Sequence, residues 1–249
     1  MRIIISPAKK MREDGDTLAP RGLPTFVEEA ERLRDALRAM TAPERQALWR
    51  CNDAIAAVNE ERLAVMDLRG AQTPAILAYE GIQYQYMAPG VFTGEELDYV
   101  QEHLRILSGF YGLLRPFDAV TPYRLEMQAR LSVDGGRDLY AFWGRKLADR
   151  LAEETDAVLD LASKEYSRAV QPFLPSKVRW ITVVFGEEKA GKIVEKGTLC
   201  KMARGRMVRW LAENRIRRPE EAQAFGELGY QFSPERSGEG TYLFVKGDV

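Results

Sequence analysis

The amino-acid sequence predicts a mixed α/β fold: a single compact domain, residues 1–249, with a central mixed sheet flanked by helices. Short apolar runs typical of buried strands occur at Arg2–Ile5, Ala75–Tyr79 and Val158–Leu161. Helical patterns separate these runs, and no internal repeat, low-complexity tract or linker-like shift in composition divides the chain. Strands that recur with helices between them along the whole chain favour one α/β domain.

The N-terminal third is predicted to be mostly helical after its first strand. Thr25–Glu28 and Thr41–Glu44 have the capping-box spacing, in which a hydroxyl and a carboxylate satisfy free backbone N–H groups where a helix begins. Pro43 falls in the first turn of the second helix, where a missing N–H is tolerated. A third helix is expected to follow Asn52 and to end at about Leu68.

Helices and strands alternate through the rest of the chain. The expected helices are Gln83–Met87, Glu95–Leu107, one from Asp138 through Leu147 to Leu151, Thr198–Arg215 and a short one after Pro219. The expected strands are a hairpin of Val178–Phe185 with Lys192–Lys196 and a terminal strand, Tyr242–Val245.

Overall charge predicts no particular partner. The 36 Lys and Arg residues nearly balance the 37 Asp and Glu residues, so any surface that binds a polyanion has to come from local clustering.

Cysteine usage and hydropathy predict a cytoplasmic protein. Cys51 and Cys200 lie far apart without a cysteine motif around either, which favours a reducing compartment. The three isoleucines after Arg2 are too short a run for a signal peptide. No uncharged apolar run reaches the roughly 18 residues of a transmembrane helix, so we expect no membrane contact.

The residue inventory predicts neither a metal site nor a cofactor. His103 is the only histidine, and neither cysteine has a companion at ligand spacing. We assign His103 a structural or surface role, the usual one for a lone histidine beside the apolar stripe of a helix. The chain also lacks a Walker loop and a GxGxxG fingerprint. Catalysis therefore has no direct support in the sequence.

The stretch Leu104–Met127 is the most unusual part of the chain. Two glycines interrupt its apolar run, two prolines force turns, and several arginines punctuate it. We expect a sharply bent core element that presents basic groups to an anion. The glycines are Gly109 and Gly112, and the arginines in question are Arg105, Arg115 and Arg124, with Arg130 just beyond the stretch.

A second basic segment, Lys201–Arg218, carries seven cations and one acid, Glu213. On a helix, Lys201, Arg204 and Arg209 fall roughly opposite the apolar stripe, and Arg206 flanks them. Such a helix can contact phosphates without reading base sequence. The alternative is an ordinary amphipathic helix with a solvated basic face.

The loop after the first strand is the third basic segment. It carries Lys9 and Lys10 at the carboxyl end of a strand, where open α/β sheets commonly place ligands. A solvated basic loop is the alternative interpretation.

Five blocks of the sequence resemble the bacterial YaaA peroxide-stress protein family. They follow the family order between residues 5 and 215, and the loop Met11–Pro24, the stretch Ile82–Gly90 and the tail after Gln231 depart from the family pattern. The blocks are Ile5–Lys9, Leu104–Met127, Asp138–Trp143, Leu161–Tyr166 and Ala203–Met207.

The resemblance implies a cytoplasmic protein that limits intracellular free iron during hydrogen-peroxide stress. It also implies a single α/β domain of unusual architecture, a positively charged cleft and a DNA-binding element like a helix-hairpin-helix. The best match for that element is the turn Ser108–Gly112, although its glycine spacing departs from the usual pattern by one residue. Such an element holds the phosphate backbone through the amides of a glycine-rich turn.

Two functions remain open at this point, and a scaffold for a protein partner is a third without positive support. The first is a monomeric protein that binds DNA without sequence specificity, with micromolar, salt-sensitive affinity. The second is an enzyme that acts on a small phosphorylated or nucleotide-like substrate, with Tyr123, Glu126 or Glu165 moving protons. For either, the predicted DNA- or anion-binding residues are Lys9, Lys10, Arg105, Gly109, Gly112, Arg115, Arg124, Lys164, Lys201, Arg204, Arg206 and Arg209.

Overall fold

An eight-stranded sheet forms the centre of the fold in the computed structural model, which describes residues 1–247. Two short pairings, β2 with β4 and β3 with β7, lie outside the sheet. The strands are β1 (Arg2–Ile5), β2 (Lys10–Met11), β3 (Thr73–Pro74), β4 (Tyr79–Glu80), β5 (Leu104–Ser108), β6 (Gly112–Leu114), β7 (Ala119–Val120), β8 (Ala157–Leu161), β9 (Arg179–Lys189), β10 (Lys192–Val194), β11 (Tyr230–Phe232) and β12 (Thr241–Lys246).

The sheet follows the order β11-β12-β9-β8-β1-β5-β6, and β10 pairs with β9. Its five central strands, from β12 to β5, are parallel, and the outer pairings are antiparallel. Ile3, in the middle of the sheet, stands opposite Leu104 on one side and Leu159 on the other. The three isoleucines of β1 are fully buried, as expected for a parallel strand that is covered on both faces.

Ten α-helices of the described chain surround the sheet. Short 3₁₀ segments lie at Pro89–Val91, Gln171–Phe173, Pro219–Ala224 and Pro234–Arg236. The helices are α1 (Val27–Ala39), α2 (Ala42–Trp49), α3 (Asp53–Val65), α4 (Ala75–Ala78), α5 (Ile82–Met87), α6 (Gly94–His103), α7 (Leu139–Trp143), α8 (Lys146–Glu154), α9 (Lys164–Ser167) and α10 (Gly197–Glu213).

The prediction of a mixed α/β domain with a central mixed sheet flanked by helices is confirmed. Two of the predicted helix starts also have the expected caps: Thr41 and Glu44 form a capping box, and Asn52 accepts a hydrogen bond from Ile55 N. The first predicted box is wrong, because α1 begins after Phe26 without a side-chain cap.

Three predicted elements differ from the structure. Ala75–Ala78 is a buried helical turn rather than a strand, because a short apolar run fits either element. The helix expected at Glu95–Leu107 ends at His103, and Leu104 begins β5. Gly144, with φ of 48°, breaks the helix expected from Asp138 to Leu151 into α7 and α8.

The connections create a switch point next to β1. The chain leaves β1, builds β5 on one side of it, and later returns to build β8 on the other side. Open α/β sheets bind ligands in the crevice outside the carboxyl ends of the strands at such a point. A ligand site is therefore expected at the carboxyl ends of β1 and its neighbours in the sheet. Among residues 1–247, no helix combines the length and apolarity needed to cross a membrane.

Candidate anion-binding site

A cavity of about 420 Å³ opens at the carboxyl ends of β1 and β8. We call it the basic cavity. The loops after these two strands, the start of α5, the segment Tyr123–Glu126 and one face of α10 form its walls. Its lining comprises Ser6, Pro7, Ala8, Lys9, Lys10, Glu80, Gly81, Ile82, Gln83, Tyr84, Tyr123, Arg124, Leu125, Glu126, Ser163, Glu165, Tyr166, Lys201 and Arg204.

Ser6 ties the walls of the basic cavity together. Its Oγ accepts a hydrogen bond from Ser163 N at 2.8 Å and donates to Ser163 Oγ at 3.2 Å, which joins the ends of β1 and β8. Tyr84 on α5 donates its hydroxyl to Ser6 O at 3.0 Å. The carboxyl ends of β1 and β8 and the helix α5 are thus fixed to one another beside the cavity.

Tyr123 anchors a buried hydroxyl network beside the cavity. Its OH lies 2.9 Å from Tyr79 OH and 2.7 Å from Ser108 Oγ, and its ring stacks on Phe110 at 4.9 Å. Burial raises the pKa of Tyr123 to about 12, so its phenol stays neutral at physiological pH. Tyr123 therefore presents a neutral aromatic wall and an already paired hydroxyl.

Two cations of the cavity share one carboxylate. Glu126 lies 3.0 Å from both Lys9 Nζ and Arg124 Nη2. Lys10 Nζ pairs separately with Glu80 at 3.0 Å. The lysine side chains are 64% and 78% exposed, so these pairs are well solvated and open easily to an incoming anion.

Lys201 and Arg204 differ from these cations. Neither has an ion-pair partner within the described part of the chain, although both line the basic cavity. They lie three residues apart on α10, so both point to the same side of the helix. Burial raises the pKa of Asp160 to about 6 and the charge of Arg204 opposes this, so Arg204 lies near this carboxyl group without forming an ion pair with it. An anion in the cavity could pair with both cations directly.

Four buried polar atoms on the cavity walls have no hydrogen-bond partner within the described chain. They are half of the eight such atoms found in residues 1–247. Buried polar groups in proteins are nearly always paired, so a cluster of exceptions on one cavity indicates a ligand site. The four atoms are Gln83 Nε2, Arg124 Nε, Glu126 Oε1 and Arg204 Nε. Glu126 Oε1 lies 3.0 Å from Arg124 Nη2 as an ion pair, but outside hydrogen-bonding geometry.

Glu165 is a half-buried carboxyl group on the wall of the basic cavity. Burial raises the pKa of Glu165, and the nearby charge of Glu126 adds to this effect, while a hydrogen bond from Gln128 N at 3.3 Å opposes it. A carboxyl group with a raised pKa is a candidate for giving or accepting a proton in catalysis.

Five of the twelve predicted site residues line the basic cavity: Lys9, Lys10, Arg124, Lys201 and Arg204. Lys164 begins α9 next to it, with a side chain that is 98% exposed and 4.0 Å from Glu195. The other six lie elsewhere.

Arg105 and Arg115 lie outside the basic cavity, which corrects the expectation that they would join one cleft. Arg105 is 3% exposed and binds Glu154 at 2.6 Å, because β5 is buried on both faces and its arginine needs an internal partner. Arg115, more exposed, lies 4.0 Å from the same carboxylate.

Gly109 and Gly112 lie in a buried β-hairpin rather than in a helix-hairpin-helix. β5 and β6 flank the turn, and the amides of Phe110 and Tyr111 donate to Ser108 Oγ. The whole turn is buried, so it offers no surface to a DNA backbone, contrary to the predicted placement there. Gly109 has a different role: a Cβ there would stand 2.7 Å from Leu125 O. The missing side chain lets the segment that carries Arg124 and Glu126 pass close to the hairpin.

Arg206 and Arg209 are on α10 but face away from the basic cavity. Arg206 pairs with Glu227 and Glu213, and Arg209 pairs with Glu213 at 2.7 Å. Their charges are thus already matched by carboxylates of the chain.

Sequence reasoning missed the residues of α5. Gln83 and Tyr84 reach the cavity because α10 packs directly against α5. A Cβ on Gly205 would stand 2.0 Å from Gln83 O, so only glycine fits. A glycine in the middle of a helix indicates such a close approach, and Gly205 was the available signal.

A family model described as "Peroxide stress protein YaaA" matches residues 1–236. The chain belongs to this family. The resemblance drawn from the five sequence blocks is thereby confirmed.

Relatives of similar length carry the name "UPF0246 protein". One from Lachnoclostridium phytofermentans is 50% identical over 248 residues, covering 100% of this chain and 97% of the relative. One from Desulfitobacterium hafniense is 49% identical over 246 residues, covering 99% and 98%. One from Pediococcus pentosaceus is 45% identical over 249 residues, covering 100% and 99%.

In the described residues, no group of three or more His, Cys, Asp or Glu side chains is placed to hold a metal ion.

Proposed function

We propose that this protein acts in the response to peroxide stress by binding DNA phosphates at the basic cavity, without reading base sequence. Membership of the family supports the stress role. The observation that carries the DNA part is the pair Lys201 and Arg204, two cavity-lining cations without a carboxylate partner in the described chain. A cytoplasmic location and a lower level of intracellular free iron belong to the proposal on the strength of the family resemblance.

The cations around the cavity favour contact with phosphates rather than with base edges. Lys9, Lys10 and Lys164 extend into solvent at or beside the mouth, with side chains 64%, 78% and 98% exposed. Flexible exposed lysines provide attraction to a phosphate backbone without fixing a sequence. Because 420 Å³ is far too small for a duplex, double-stranded DNA would lie across the mouth.

Charge reversal on α10 tests the proposal. Lys201→Glu combined with Arg204→Glu should weaken binding of a fluorescent 20-residue oligonucleotide or duplex more than tenfold at low salt, because two attractive charges become repulsive. Fluorescence anisotropy gives the affinity. Lys177→Glu is the matched control. Lys177 is exposed and precedes β9, so it lies at the amino-terminal ends of the parallel strands, whereas the basic cavity lies at the carboxyl ends. Equal affinities of the α10 variant and the control would refute the proposal.

A second candidate function is an enzyme for a small phosphorylated or nucleotide-like substrate. The four unpaired buried polar atoms favour it, because an enclosed ligand can satisfy all of them at once. Arg124 and Arg204 would hold the anionic group, and Glu165, with its raised pKa, would move the proton. Thermal-shift measurements with nucleoside phosphates test it. If a nucleoside phosphate stabilises both the wild type and Glu165→Gln, but only the wild type turns it over, the result supports an enzyme. A screen without any shift counts against it.

A further inference from the structure

Two smaller cavities adjoin the basic cavity at separate places. The first, about 180 Å³, shares Glu126 with it. The second, about 190 Å³, shares Glu80, Gly81 and Tyr84 with it. The two smaller cavities share no lining residue with each other. The three cavities are therefore neighbours, with the basic cavity in the middle, and we call this row of cavities the path.

Basic side chains continue along the whole path. Arg50 and Arg130 line the first small cavity; both are exposed, and neither has an ion-pair partner within residues 1–247. Arg12 lines the second and pairs with Asp14 at 2.9 Å. In a chain of net charge −1, eight cations and three carboxylates line the path: Lys9, Lys10, Arg12, Arg50, Arg124, Arg130, Lys201 and Arg204, with Glu80, Glu126 and Glu165.

The carboxylates do not interrupt this basic path. Each of the two at the junctions is held by a cation, Glu126 by Lys9 and Arg124, and Glu80 by Lys10. Neutralised in this way, they offer hydrogen-bond acceptors without strong repulsion of a phosphate.

We propose that the path binds one strand of nucleic acid, with a single unstacked nucleotide in the basic cavity and its flanking phosphates in the two smaller cavities. This inference rests on the proposed DNA-binding function and adds the occupant of the cavity and two phosphate-binding residues, Arg50 and Arg130. The nucleotide comes either from a single strand or from a duplex in which one residue is unpaired.

The sizes of the cavities support this assignment. Ligand cavities in proteins typically measure about 300–1,000 Å³, so the basic cavity is large enough for a nucleotide. The smaller cavities fall below that range, which suits a phosphate with part of its sugar rather than a base.

The walls of the basic cavity match the two halves of a nucleotide. Tyr84, Tyr123 and Tyr166 give it aromatic surface, on which any base can stack because every base has a π-face. Gln83 Nε2, which has no hydrogen-bond partner in the described chain, is a donor for the polar edge of a base. On the phosphate side, Arg204 Nε is a free donor beside Lys201.

A series of ligands of increasing length tests the path. The ligands are thymidine monophosphate, the 5′-phosphorylated thymidine trinucleotide, and duplexes with and without one unpaired thymidine, measured by calorimetry or anisotropy. The flanking variant is Arg50→Asn with Arg130→Gln; asparagine suits position 50, where φ is 47°. The cavity variant is Lys201→Gln with Arg204→Gln, and Lys177→Gln is the control.

The wild type should bind the trinucleotide at least tenfold more tightly than the monophosphate, because two further phosphates are held. The flanking variant removes both arginines of the first small cavity, so it should lose the part of this gain contributed there and keep its affinity for the monophosphate. The cavity variant should bind all ligands more weakly. The duplex with an unpaired thymidine should bind more tightly than the fully paired one. If this duplex binds more tightly than the trinucleotide, the nucleotide comes from a duplex with an unpaired residue. If the trinucleotide binds more tightly, it comes from a single strand.

The outcomes separate this inference from the function on which it rests. A flanking variant that binds the trinucleotide as tightly as the wild type overturns the path, and so do equal affinities for the two duplexes. Either result leaves phosphate binding at the basic cavity intact. A cavity variant with the affinity of the wild type for every ligand overturns the DNA-binding function itself.

Discussion

Arg105 and Arg124 come from the same stretch of sequence, but they enter two arginine–carboxylate clusters of opposite character. Arg105 joins Arg2 and Arg150 around Glu154, whose oxygens they approach to between 2.6 and 3.2 Å. Arg124 shares Glu126 with Lys9, and both Arg124 Nε and Glu126 Oε1 remain without a hydrogen-bond partner in the described chain. In the first cluster Arg105 is fully matched by Glu154 and backbone carbonyls, and only Arg150 Nε is left without a hydrogen bond in the described chain. In the second cluster Arg124 itself keeps an unpaired atom, and that atom lies on a cavity wall.

This difference shows how a structural arginine is told from a ligand-binding one. A buried charge has to be matched inside the protein, as Arg105 is by Glu154 and by three backbone carbonyls. A binding site keeps unmatched donors, as the basic cavity does. Burial alone would not separate the two, since Arg124 is only 12% exposed.

Breaking the cluster around Glu154 should have the largest effect on stability. Glu154→Gln leaves Arg105 buried without a countercharge, so we expect the free energy of unfolding to fall by about 3–5 kcal/mol. Urea denaturation followed by circular dichroism measures it. Arg115→Gln is the matched control, because this exposed arginine lies 4.0 Å from Glu154, and its loss should cost less than about 1 kcal/mol. Equal losses in the two variants would contradict the account.

The pH dependence of stability sharpens the same test. Burial would raise the pKa of Glu154, but the charge of Arg105 and the hydrogen bonds from Arg105 and Arg2 outweigh it and hold the pKa below its usual value of 4.5. A lowered folded-state pKa means that the stabilisation is present above pH 4.5 and is lost as the pH falls below it. The difference in stability between wild type and Glu154→Gln should therefore shrink in acid. A constant difference down to pH 3 would contradict this.

Gly205→Ala should have an intermediate effect that reaches both the fold and the cavity. The new Cβ meets a backbone oxygen at 2.0 Å, so α10 and α5 have to separate, and overpacking of this kind costs about 1–3 kcal/mol. Because α10 carries Lys201 and Arg204, DNA binding should weaken too. Thermal unfolding and anisotropy measure both. Gly197→Ala, on the same helix with open space around it, should change neither; a similarly silent Gly205→Ala would show that this close approach is not required.

Arg124→Gln should affect stability least and binding most selectively. Lys9 remains paired with Glu126 when Arg124 is lost, so we expect a smaller loss of stability than in Glu154→Gln. Loss of one charge-assisted contact to phosphate should weaken DNA binding by about tenfold. Denaturation and anisotropy on one preparation measure both, with Lys177→Gln as the control. A large loss of stability with unchanged binding would place Arg124 with the structural cluster of Arg105.

The central strands of the sheet can be predicted from the sequence. Ile3–Ile5 and Val158–Leu161 are identifiable as buried strands because a strand covered on both faces is apolar without interruption. Leu104 and Leu107 mislead for a physical reason: they continue the helical spacing of Leu97 and Val100, although the chain turns from helix to strand between His103 and Leu104.

The site is only partly predictable, because its partners are distant in the chain. Lys9, Lys201 and Arg204 are identifiable from local clustering of charge. The sequence does not reveal that Glu154 stands beside Arg105, 49 residues earlier, or that α10 approaches α5 at Gly205. Tertiary packing, rather than local pattern, decides which arginine faces the cavity.

The salt dependence of DNA binding tests the central claim most directly. Binding through phosphates releases counterions, so log K falls linearly with log salt concentration, and each lost phosphate contact lowers the slope by about 1. We predict that Lys201→Gln lowers the slope by about 1 relative to the wild type, while Lys177→Gln leaves it unchanged. Identical slopes for the wild type and Lys201→Gln would contradict the assignment of the basic cavity as the DNA-binding site.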